Sequence, residues 1–216
     1  PLDRADGAVV MLHGRGATAE SILTLAAELR VPGMAFIAPQ ATGNAWYPLS
    51  FLAPTEQNEP WLSSALATVG RAVREIEDTG IPAKRIFLLG FSQGACLASE
   101  WVARNARRYG GLFALSGGLI GDDSASRDYQ GSLDGMPAFF GCSDIDAHIP
   151  AARVEESGRV LGRMGAQVDV RRAAVHEQED DALGLGRARR RLRGERVGRE
   201  RGRSGSRERA VGRQQR

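Results

Sequence analysis

The segment Gly90-Phe91-Ser92-Gln93-Gly94 sets one serine between two glycines, after the apolar run Arg85-Ile86-Phe87-Leu88-Leu89 and before a helical pattern from Ala95 to about Arg107. A G-x-S-x-G sequence in that context reads as a sharp strand-to-helix turn. Crowding leaves no room for side chains flanking the serine, and its hydroxyl is lifted above the end of the strand. Unpaired N–H groups at the start of the helix favour negative charge beside it. Ser92 is therefore the candidate nucleophile. A serine hydroxyl attacks a carbonyl carbon only when a base takes its proton, and the oxyanion that results needs donors already aimed at it. One donor is the backbone N–H of Gln93. The second is expected from the loop after the first strand, His13-Gly14-Arg15-Gly16, with Arg15 contributing its amide rather than its guanidinium. His13 reads as a brace for that loop, with a role as general base as the competing reading.

An acid should follow at the end of a later strand, because this arrangement runs serine, acid, histidine along the chain. Beyond the strand Pro137 to Phe140, the stretch Gly141 to Pro150 offers Asp144 and Asp146. Aspartate also forms turns and caps helices. We expect Asp146 to be the acid and Asp144 the turn former. The chain has three histidines. His148 lies two residues after Asp146, so in extended chain the two side chains point to opposite faces. His176 stands beyond the last strand candidate and is the favoured base, with His148, His13 or no base at all as alternatives. Trp46 and Phe91 are the candidate substrate-binding residues of an apolar trench to which Tyr47 and Phe51 could add; ordinary core packing of these aromatics is the rival reading.

The elements that must hold these groups follow from the apolar pattern. Ala8 to Leu12, Met34 to Ala38, Arg85 to Leu89, Leu112 to Leu115, Pro137 to Phe140 and Gln167 to Arg171 read as strands. Thr18 caps a helix carrying Ile22, Leu23, Leu25, Ala26 and Leu29; further helices span Trp61 to Asp78 and Ala151 to Met164. Gln40 to Glu59 is irregular and aromatic, of the length expected for a binding loop. Strands alternating with helices imply parallel pairing and an α/β fold, a mostly parallel sheet with helices on both faces. That domain is expected over residues 1–180. From 181 to 216 the apolar pattern stops. From Arg187 onward thirteen arginines face three glutamates (Glu195, Glu200, Glu208), so a chain of formal charge +3 has an acidic body and a basic end. This composition predicts a disordered tail.

The segment from about Val9 to Val170 resembles the phospholipase/carboxylesterase branch of the α/β-hydrolases, which includes acyl-protein thioesterases. The resemblance rests on H-G-x-G at His13 to Gly16, A-P-Q at Ala38 to Gln40, W-Y-P at Trp46 to Pro48, G-F-S-Q-G at Gly90 to Gly94 and D-x-x-I-P at Asp146 to Pro150. It implies a serine hydrolase of carboxylic esters or thioesters working through an acyl-enzyme. Ser92 would be nucleophile, Asp146 acid, and Arg15 with Gln93 the oxyanion donors. The family's histidine lies in a sequence like G-x-x-H-T before a final helix that packs on the sheet. Here His176 has neither the glycine nor the threonine. A catalytically impaired, ligand-binding version of the fold is therefore the second expectation.

Of 216 residues, 42% are hydrophobic and 25% charged, which excludes collagen, coiled coil and wholesale disorder. No run approaches the roughly 20 apolar residues of a membrane span, and Pro1 to Gly7 lacks signal-peptide order, so a cytoplasmic protein is expected. Two cysteines, Cys96 and Cys142, are too few for a disulfide scaffold and read as buried small hydrophobes. No cofactor or metal is implied. The expected partner is a small ester or thioester substrate; a homodimer is compatible with the sequence. The arginines suit non-specific contact with polyanions rather than specific nucleic-acid recognition, since no aromatic follows Asp181 for base stacking.

Overall fold

All six apolar runs form strands. In a computed structural model, which describes residues 2–143, 146 and 148–173, they are β1 (Gly7–Leu12), β2 (Met34–Ile37), β3 (Ile86–Phe91), β4 (Gly111–Leu115), β5 (Pro137–Ser143) and β6 (Gln167–Ala173). Asp144, His176 and the stretch from 181 to 216 lie outside the described residues. The strands form one sheet in the order β2-β1-β3-β4-β5-β6, with every neighbouring pair parallel. Parallel neighbours cannot be joined by tight turns, so the chain crosses between them through α1 (Ala19–Leu29), α2 (Trp61–Asp78), α3 (Gln93–Arg104) and α4 (Ala151–Arg163).

Helices cover both faces. On one, Leu62, Val69, Val73 and Ile76 of α2, Leu97 and Trp101 of α3, and Val154, Val160 and Leu161 of α4 pack with Val10, Leu12, Leu88 and Phe140 of the sheet. The spacing of the α2 residues is that of a single helical stripe. On the other face Ile22 of α1 packs with Val9, Met11 and Leu89. Thr18 caps α1 as its sequence position implies: its Oγ1 accepts the Ser21 N–H at 3.2 Å, and Ser21 Oγ accepts the Thr18 N–H at 3.1 Å. Further along the second face Phe113 of β4 remains 41% exposed. Among the described residues no helix is long and apolar enough to cross a membrane.

Element types follow the apolar pattern, whereas several ends do not. α3 begins at Gln93 rather than Ala95 because the turn at Ser92 delivers the chain directly into the helix, and it ends at Arg104 rather than near Arg107. β3, β5 and β6 run past their apolar cores because ladder pairing continues, Phe91 opposite Leu115 and Ser143 opposite Ala173. Hydrogen bonding ends a strand; side-chain hydrophobicity does not.

The β4 to β5 connection contains no helix. Its backbone acceptors are met by buried arginines instead. Arg127 donates to the carbonyls of Ile120 (2.8 Å), Gly121 (3.1 Å) and Asp122 (3.3 Å), and Arg153 of α4, 5% exposed, donates to those of Leu119 and Gly121. Arg153 is itself paired with Asp123 at 2.7 Å and Glu156 at 2.8 Å. Glu100 of α3, also buried, accepts the Ile120 N–H at 3.0 Å and the Tyr129 hydroxyl at 2.9 Å. These bonds do what a crossover helix would do internally.

Candidate active site

Because the sheet is parallel, the loops that follow its strands gather at one edge. Phe91, Leu115, Gly141 and Arg171 lie side by side across β3 to β6, so Ser92, Ser116 and the loop carrying Asp146 all follow at that edge. Ser92 has φ 52° and ψ −118°, a conformation normally left to glycine in mirror-image turns. Its N–H donates to Leu115 O at 2.8 Å, and its carbonyl accepts the N–H groups of Ala95 (2.9 Å) and Cys96 (3.1 Å), which starts α3. The flanking glycines are sterically required. A Cβ on Gly90 would stand 2.3 Å from Gly94 O, and one on Gly94 would stand 2.1 Å from Leu12 O. Only hydrogen atoms at both positions let β1, β3 and α3 converge on the serine.

The His13 to Gly16 loop lies against this turn. A Cβ on Gly14 would be 3.5 Å from the Ser92 Cβ and 3.3 Å from the Phe91 ring. His13 is fully buried; its Nδ1 contacts Gly14 O at 2.8 Å and its Nε2 accepts the Ala41 N–H at 3.1 Å, so both ring nitrogens serve the main chain. Accepting the Ala41 N–H takes the lone pair of Nε2, which leaves Nδ1 to donate to Gly14 O. Trp46 lies tilted against the ring, with centroids 4.9 Å apart and planes at 33°, and donates its indole N–H to His13 O at 2.8 Å.

Gln93 follows the serine, and Arg15 follows Gly14 of the loop that touches it. As the first residue of α3, Gln93 has an N–H without a partner inside the helix. Its side chain is buried: Oε1 accepts the Trp46 N–H at 3.0 Å and Nε2 donates to Tyr47 O at 2.8 Å. The exposed Arg15 donates its guanidinium to Pro48 O at 2.8 Å and Leu49 O at 2.6 Å. Phe91, beside the serine, is 44% exposed, whereas Trp46 is only 4% exposed and offers a substrate little surface. Asp146 follows β5, and its Oδ1 accepts the N–H groups of His148 (2.9 Å) and Ile149 (3.0 Å), a turn leading through Pro150 into α4. His148 is exposed. The favoured base, His176, is not among the described residues, and neither is Asp144.

Below the site, burial pushes the Cys96 thiol up to about 12 and holds the Tyr47 hydroxyl well above its ordinary range. The Tyr47 hydroxyl faces that thiol and is buried without a nitrogen or oxygen partner among the described residues. Both cysteines are buried, as the sequence implies. Several residues that shape the site were not picked out from sequence. Asn58, fully buried, accepts the Leu49 N–H at 2.9 Å and donates to Ser50 O at 3.0 Å; Gln40 accepts the Ala19 N–H at 2.8 Å. Their only sequence signal is an amide side chain in an otherwise aromatic and proline-rich stretch.

The chain is similar to known proteins in sequence and fold. The chain is 49% identical to a phospholipase/carboxylesterase from Dyadobacter fermentans of known structure, over 86% of this chain and 90% of that one, with a TM-score of 0.80. It is 28% identical over 126 residues to acyl-protein thioesterase 1 of Yarrowia lipolytica, covering 50% of this chain and 56% of that protein. It is 36% identical over 91 residues to acyl-protein thioesterase 1 of Kluyveromyces lactis, covering 41% and 40% of the two chains. The alignments thus span about half the length of these two thioesterases. A family model described as phospholipase/carboxylesterase matches residues 1–183. With that match added to the parallel sheet and the serine turn, the chain belongs to the phospholipase/carboxylesterase family of the α/β-hydrolases.

Proposed function

We propose that the protein is a serine hydrolase that cleaves carboxylic esters or thioesters through an acyl-enzyme. The observation that carries the reading is the strained turn at Ser92, φ 52°, pressed against the glycine loop after β1. Strain of this kind persists only where surrounding structure over-determines it, and it collects at sites of chemistry. Ser92 Oγ adds to the acyl carbon while its proton passes to a histidine, for which we take His176. The carbonyl oxygen becomes an oxyanion and is received by the N–H groups of Gln93 and Arg15. The tetrahedral adduct then expels the alcohol or thiol, which takes the proton from the histidine. Water repeats the sequence on the acyl-serine and releases the acid. Asp146, its Oδ1 held by two main-chain donors, is proposed to orient the histidine.

Phe91 is the proposed contact for the acyl chain, and Trp46 enters this reading as the brace under the loop. The expected partner is a small ester or thioester. An alkyl fluorophosphonate is expected to label Ser92, and p-nitrophenyl butyrate to turn over, with both lost in Ser92→Ala. Removing His176 or Asp146 should cost on the order of 10⁴-fold in kcat. A folded sample that neither labels nor turns over removes the hydrolase reading and leaves a binding protein on the same fold.

A further inference from the structure

We infer that the side chains of Gln93 and Arg15 are positioning groups that grip one stretch of main chain, Trp46 to Leu49, and thereby fix the spacing of their own two backbone amides. The inference rests on the serine-hydrolase reading, in which those amides receive the oxyanion. It adds a role that the motif does not demand, because any residue after the serine supplies a backbone N–H.

Six hydrogen bonds build the clasp. From the α3 side, the buried Gln93 carboxamide takes the Trp46 N–H and gives a bond to Tyr47 O. From the β1 side, the Arg15 guanidinium spans the next two carbonyls, Pro48 and Leu49. Between them the Trp46 indole N–H reaches back to His13 O, two residues before Arg15, and the Gly16 N–H donates to Asn44 O at 2.7 Å. Four consecutive residues thus bond to both segments, which also meet through the β1 and β3 ladder and the close packing at Gly14 and Gly94. A Gln93 that merely filled the core would need partners, though not partners adjacent in sequence to those of the other proposed donor. Displacements of about 1 Å in groups that contact a transition state cost up to about 100-fold in rate.

The test compares wild type with Gln93→Met, which keeps side-chain length and removes both bonds, and with Arg15→Met, at an exposed position that tolerates the change. The readouts are kcat and KM for p-nitrophenyl butyrate and the affinity of a propyl trifluoromethyl ketone, which adds to a serine hydroxyl as an oxyanionic hemiketal and is followed by its ¹⁹F resonance. We expect kcat to fall about 30-fold in Gln93→Met and about 5-fold in Arg15→Met. Ketone affinity should fall in the same proportion, with KM shifted less than about 3-fold. Variants that lose thermal stability yet keep kcat and ketone affinity overturn the clasp. Should Gln93→Met fail to fold, an unchanged ketone affinity in Arg15→Met does so on its own. Wild-type protein that binds no ketone and takes no fluorophosphonate label defeats the hydrolase reading itself, and the clasp with it.

Discussion

Ser92 and Ser116 are non-glycine residues held at positive φ, 52° and 53°, at the ends of neighbouring strands. An L residue in this region costs about 1 to 3 kcal/mol. Ser92→Gly is therefore expected to raise stability by about 1 kcal/mol in urea denaturation, while Ser92→Ala, which keeps the Cβ, leaves it unchanged. Gly94→Ala runs the other way, because its Cβ would enter the Leu12 carbonyl, and is expected to destabilise by more than about 4 kcal/mol or prevent folding. The buried Tyr47 hydroxyl has no nitrogen or oxygen partner among the described residues and faces only the weakly bonding Cys96 thiol, so Tyr47→Phe should be neutral to stabilising by about 1 kcal/mol. The serine turn was legible in the sequence because its steric demand leaves glycines as a trace. Gln93 and Gln40 stand within recognisable motifs, but what their side chains bond to, like the partners of Asn58, is not written there. Their partners are main-chain atoms brought near by the fold, and a main-chain atom has no letter.

At the scale of elements, periodicity identified every strand and every major helix, because burial on one or two faces imposes it. It could not identify the β4 to β5 connection, whose order comes from guanidinium bonds to carbonyls rather than from a repeating stripe. Arg153→Met should expose what those bonds are worth. Its partners, the exposed Asp123 and the part-exposed Glu156, would be solvated, so the cost, about 1 to 3 kcal/mol, is that of leaving the carbonyls of Leu119 and Gly121 short of a donor. The amides of residues 119–122 are expected to lose hydrogen-exchange protection well before those of β3. Protection retained across 119–122 would show that the connection does not depend on Arg153. The base was the least legible part of the site, since His176 lacks the flanking residues that mark the family's histidine.

Across the whole molecule, burial raises the proton affinity of Cys96, Tyr47, Tyr109 and Tyr129 above their ordinary values of 9.0 for the thiol and 10.0 for the phenols. A raised value in the folded state means that the native protein holds these protons after the unfolded chain has released them. Their contribution is complete below about pH 9 and is lost as pH rises through the folded values. The urea midpoint should accordingly fall between about pH 9 and pH 11, less steeply in a Tyr47→Phe, Cys96→Ala double variant. For the same reason Cys96 should resist iodoacetamide at pH 8 in the native state and react once unfolded.

The bonds that Gln93 and Arg15 make to residues 46–49 end on N–H and C=O groups, which every amino acid other than proline presents alike. On the proposed reading, alignment would depend on the main chain of this stretch and on the Trp46 indole, and not on the Leu49 side chain. Leu49, 43% exposed, is bonded to Arg15 and Asn58 through its carbonyl and its N–H, so exchanging its side chain is expected to leave those bonds in place.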